Sequence, residues 1–230
     1  MNWNTFLGVT ASTSFLLPVA AIVYYKLYTH RSLAALLISY SITSLYNFAE
    51  LQLIPMPASF TNGFGVVNNY LDIPLMLTAL LFFCPIKQKQ KTVHVITGLF
   101  LAYEVVLAIQ FGLQPKVVVY IMGPGLLLIL AYAFYLFVRH IRNTIVYGKN
   151  AGRTLMLAAI LFSYSCYGFI YYFYYLQKTG AVSDIYLLYY LSSIFSCVLM
   201  CIGLALTNKR LKLLNDLKVT RRELQMFFNT

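Results

Sequence analysis

The sequence predicts an all-α integral membrane protein: a seven-transmembrane-helix bundle with its N-terminus outside and its C-terminus in the cytosol. Three observations carry that expectation. Of 230 residues, 60% are hydrophobic and only 10% are charged, which leaves too little polar side chain to clothe a soluble core. Seven apolar runs each approach the ~20 residues that a helix needs to cross ~30 Å of hydrocarbon. Fifteen of the 17 Lys and Arg residues fall on one side of those runs, Lys116 and Lys178 alone on the other, and such a bias marks the cytosolic face.

The spans follow one another with only short connections. The first, about residues 5–25, has no basic region ahead of it and no small-residue cleavage site, so it reads as a retained helix and not a signal peptide. The second, about 32–54, carries Ser39, Thr43, Tyr46, Asn47 and Glu50 at steps of three or four, which places them on one helix face. The third, about 63–83, holds Asn68, Asn69 and Asp72 within one turn, with Pro74 just beyond. The fourth, about 92–111, follows three lysines and contains Glu104. The fifth, about 117–138, contains Gly123-Pro124-Gly125, a kink or close-contact motif. The sixth, about 154–176, offers Tyr164, Tyr167, Tyr171, Tyr174 and Tyr175. The seventh, about 185–206, offers Tyr186, Tyr189, Tyr190, Ser193 and Ser196.

These runs make residues 1–206 one transmembrane domain and leave 207–230 as a basic cytosolic tail. In the tail Leu214, Leu217, Arg221, Leu224 and Phe228 step by three and four. The leading reading is an amphipathic helix lying flat against anionic inner-leaflet headgroups. The competing one continues the seventh span into a short seam that could pair two copies as a homodimer.

An ionisable side chain inside a span is costly and marks a functional site by default. Glu50, Asp72 and Glu104 lie roughly 6, 13 and 10 Å below the outer interface at ~1.5 Å per residue, and no span interior supplies a Lys or Arg to pair with them. The expected site is therefore an outer-half polar cavity. Its ligand- or cation-binding residues are Tyr46, Asn47, Glu50, Asn68, Asn69, Asp72, Glu104, Tyr167, Tyr171, Tyr189 and Ser193, with Asp72 the key group because it is deepest and has two asparagines beside it.

Other chemistry finds less support. His30, His94 and His140 sit at cytosolic helix ends as interfacial anchors, and no His-x-x-x-His pair or Gly-x-Ser-x-Gly motif occurs. The +11 net charge reads as topology and lipid contact, not nucleic-acid binding. The four cysteines lie within spans or at their cytosolic ends, where no disulfide is expected. No cofactor is expected. In broad outline the topology resembles seven-helix receptors and the membrane input regions of bacterial sensor kinases, and the lack of lysine in the seventh span argues against a retinal Schiff base. The functional expectation is a multi-pass cell-membrane sensor for a small external ligand or cation. A small-solute or proton-coupled transporter, and an intramembrane enzyme using carboxylates on a lipid-like substrate, are the alternatives.

Overall fold

The computed structural model describes residues 3–84, 87–112, 114–148, 150–173, 177 and 182–228, with side chains described for all of these except 87–89, 115, 182–184 and 218–228. Among the described residues the chain forms eight α-helices and no strand. They are α1 (Trp3–Ser14), α2 (Leu16–Tyr24), α3 (Arg31–Glu50), α4 (Ala58–Leu80), α5 (Lys87–Phe111), α6 (Pro115–Tyr147), α7 (Ala151–Tyr171) and α8 (Val182–Phe228). Because α1 and α2 together make one stretch, seven helical segments are long and apolar enough to cross a membrane.

The break between α1 and α2 follows from Pro18, which has no N–H to offer the carbonyl of Ser14. At the break the Phe15 N–H reaches Ala11 O at a stretched 3.4 Å. The Ser44 hydroxyl on α3 donates to Ser12 O at 3.1 Å, so a neighbouring side chain bonds the backbone two residues before the carbonyl that Pro18 cannot serve. Pro124 in α6 creates the same problem for the carbonyl of Tyr120. There the Tyr103 hydroxyl of α5 donates to that oxygen at 2.9 Å, and the Tyr171 hydroxyl of α7 donates to the adjacent Val119 O at 2.9 Å. Gly123 makes the second contact possible, since a Cβ there would sit 2.8 Å from Tyr171 Oη.

Several helix ends depart from the expected spans. α3 stops at Glu50, four residues early, where Gln52 turns the chain through a positive φ of 55° before Pro55 and Pro57. α4 starts at Ala58, five residues early. α6 continues to Tyr147, nine residues past 138, and ends where Gly148 adopts φ 62° and its N–H meets Thr144 O at 2.9 Å. The remainder of the expected sixth span, 174–176 with Tyr174 and Tyr175, lies outside the described residues.

The largest departure is the tail. α8 runs 47 residues from Val182 to Phe228 without interruption, so the tail does not turn at 207 to lie flat as a separate helix. After Gly203 the sequence has neither Gly nor Pro to stop a helix. Leu214 and Leu217 are exposed along it. The side chains of Arg221, Leu224 and Phe228, the rest of the proposed seam, lie outside the described ones.

Packing arranges the segments as a ring in which α1 and α2 touch α3 and α8, α3 touches α4, α4 touches α6, α6 touches α7, and α7 touches α8. α5 stands outside that ring against α4 and α6, and only 22% of its apolar stretch is buried, the least of the seven. α7 and α8 share the most extensive contact. Their backbones meet at two glycines: a Cβ on Gly152 would lie 2.7 Å from Gly203 O, and one on Gly203 would lie 2.8 Å from Gly152 O.

Candidate functional site

The ring encloses a cavity of about 580 Å³ at the end of the bundle that holds Asn4, Glu50 and Tyr186. Deeper in, Phe15, Tyr40, Met76 and Ile160 form its floor. The cavity exists because small or polar side chains face inward on α3, α4 and α7 at this level, where bulky aliphatics fill the core further along. Gly65 is one example: a Cβ there would meet the Tyr46 ring at 2.8 Å, so glycine lets that tyrosine lie against α4.

Asp72 of α4 occupies the deep part of the wall. The Ser39 hydroxyl of α3 donates to Oδ1 at 3.3 Å, and the Tyr164 hydroxyl of α7 donates to Oδ2 at 2.8 Å. One carboxylate thus ties three helices together, and each oxygen keeps acceptor capacity for a further donor. The asparagines expected to orient Asp72 do something else. Asn69 Nδ2 donates to Gly65 O at 2.8 Å within its own helix, and Asn68 Oδ1 accepts from the Thr43 hydroxyl at 3.4 Å. Asn69 reaches back to the preceding turn of its own helix and Asn68 reaches across to α3, so these bonds go elsewhere than to the carboxylate, which is held from α3 and α7.

Aromatic rings cover the α7 and α8 sides from depth to mouth. Tyr164 and Tyr167 meet edge to face at 5.5 Å, Tyr167 and Tyr189 stack at 5.8 Å, Tyr189 and Tyr190 meet at 5.7 Å, and Tyr186 stacks on Tyr190 at 6.3 Å. The Asn47 amide faces Tyr189, its Nδ2 and Oδ1 lying 3.0 and 3.2 Å from Oη. Glu50 sits at the mouth as the last residue of α3, exposed and interacting with Tyr46, and not buried four residues inside a span.

Nine of the residues singled out from sequence line this one cavity: Tyr46, Asn47 and Glu50 on α3, Asn68, Asn69 and Asp72 on α4, Tyr167 and Tyr171 on α7, and Tyr189 on α8. Two do not. Ser193 is fully buried one turn beyond Tyr189, away from the cavity wall. Glu104 lies on the peripheral α5, 3% exposed, with Oε1 buried and without a hydrogen-bond partner. The expectation of three acids in one chamber therefore reduces to two, because α5 is outside the ring. Ser39 and Tyr164, which hold Asp72, stand in the polar stripes but outside the set of binding residues that the sequence points to. Their signal was the helical phase they share with Thr43 and Tyr167.

His140 also differs from expectation, being 2% exposed with Nε2 2.8 Å from Phe83 O, so it is a packed residue and not an interfacial anchor. Among the described residues no three His, Cys, Asp or Glu side chains group as metal ligands would. Compared with known proteins, the chain matches no family model, and no curated protein or solved structure shows significant similarity to it.

Proposed function

We propose that the chain is a multi-pass cell-membrane sensor that takes a small ligand or cation into the cavity around Asp72. The observation that carries the reading is a carboxylate, hydrogen-bonded on both oxygens, in the wall of a cavity of ligand-accommodating size with no Lys or Arg on that wall among the described residues. In this reading the N-terminus and the mouth face outward, supported by the distribution of 15 Lys and Arg to one side and two to the other. Transport would need the cavity to open at both faces, and the apolar floor of Phe15, Met76 and Ile160 works against that. The continuous α8 supplies a physical route from Tyr189 in the cavity wall to the cytosolic tail, whose first basic residues, Lys209, Arg210 and Lys212, would meet anionic headgroups and whose further length two copies could pair through.

The test couples a ligand screen to the tail. With spin labels at Leu214, an external panel of amines, amino acids and sugars should yield at least one compound that changes label mobility or tail-to-tail distance without net flux in liposomes. Flux of a compound that leaves the tail unmoved would assign the chain to transport instead.

A further inference from the structure

We infer that the ligand of this cavity is an organic ammonium ion, a protonated or quaternary amine carrying an apolar or aromatic body; the inference rests on the cavity being a binding site and adds the class of its ligand. The argument begins with what the wall has left to offer. Of its amides, Asn47 pairs with Tyr189, Asn69 donates to Gly65 O and Asn68 accepts from the Thr43 hydroxyl. The Tyr164 and Tyr171 hydroxyls donate to Asp72 and to Val119 O. A sugar needs donors and acceptors in comparable number and carries no charge to answer a carboxylate. With no Lys or Arg on the wall among the described residues, its charged groups are the carboxylates of Asp72 in depth and Glu50 at the mouth. An ammonium group is the complement to those carboxylates, because it carries donors or positive charge and no acceptor.

The aromatic wall points the same way. A cation beside Asp72 lies next to Tyr164, whose ring leads through Tyr167 and Tyr189 to the mouth. Ring faces attract organic cations within ~6 Å of their centroids, and exclusion of water strengthens the attraction. They do little for Na⁺ or K⁺, which replace a hydration shell with several oxygen ligands. The body of the ligand has its own place, since Phe15, Met76, Met122 and Ile160 present apolar surface in the same cavity. Methionine adapts to varied shapes, so that floor suits a flexible or aromatic substituent.

The experiment uses the full chain in lipid nanodiscs and measures binding calorimetrically for matched probes. Phenethylamine is set beside phenethyl alcohol, choline beside the uncharged compound in which tert-butyl replaces trimethylammonium, with glucose, NaCl and KCl as further arms. At least one ammonium probe should bind saturably, with its uncharged partner at least about tenfold weaker. Asp72→Asn should weaken that probe at least about 30-fold, whereas Glu104→Gln, outside the cavity, should leave it unchanged. Tyr167→Leu should weaken it by about 3- to 30-fold and Tyr167→Phe should restore it, because phenylalanine keeps the ring face. This aromatic pair decides the matter if Asp72→Asn does not fold. Equal affinity for charged and uncharged partners, or ammonium binding indifferent to both Asp72→Asn and Tyr167→Leu, would overturn the ammonium assignment. Saturable binding of glucose or an alcohol without amines would overturn it while leaving a binding cavity. Silence from every probe, together with an unresponsive tail, would remove the sensing reading as well.

Discussion

Glu104 and Asp72 show how differently the fold can treat the same functional group. Asp72 has a hydroxyl on each oxygen, whereas Glu104 Oε1 and Tyr70 Oη are both buried with no hydrogen bond. A buried polar atom left unsatisfied costs about 1–3 kcal/mol. Glu104→Leu should therefore raise the melting temperature in detergent, by an amount corresponding to about 1–2 kcal/mol; a lower melting temperature would show that the carboxyl is needed for packing. Both acids were visible in the sequence as charges inside apolar runs, and the phase of Ser39, Thr43 and Asn47 announced a polar face. Their partners were not visible. Which hydroxyl meets Asp72 depends on the rotation and spacing of three helices, and the isolation of Glu104 depends on α5 packing outside the ring, neither of which a single helix records.

At the level of helices, the spans were legible because hydropathy reports apolar length, but the helix ends differ from the span ends because charge and helix termination are separate matters. Basic residues mark where hydrocarbon stops, as at Arg139, yet α6 continues until Gly148 supplies a left-handed residue. The same distinction explains α8, in which Lys209 and Arg210 interrupt the apolar run without interrupting the helix. Contact between helices is likewise written in residue size more than in hydropathy. A Cβ on Gly203 would lie 2.6 Å from Met156 Cγ as well as close to the α7 backbone, whereas one on Gly98 of α5 meets nothing within 4 Å. Gly203→Val should destabilise the protein by about 1–3 kcal/mol or more through overpacking, and Gly98→Val should change the melting temperature little. Similar losses from both would mean that the α7–α8 contact is no tighter than an open helix face.

For the whole molecule, the proposed orientation makes a prediction that does not depend on any ligand. A reporter fused after Thr230 should be cytosolic, and a cysteine replacing the exposed Met56 should react with an impermeant maleimide from outside; labelling only after permeabilisation would invert the bundle and the side from which its cavity fills. One mechanical consequence belongs to α8 in either orientation. The helix is about 70 Å long at ~1.5 Å per residue, and at Gly203 its backbone crosses closely against that of α7. Tyr189 lies about 21 Å to one side of that crossing and Phe228 about 38 Å to the other. A rigid rod pivoting there is an unequal lever, so a sideways step of about 1 Å at Tyr189 becomes nearly 2 Å at Phe228 and points the opposite way.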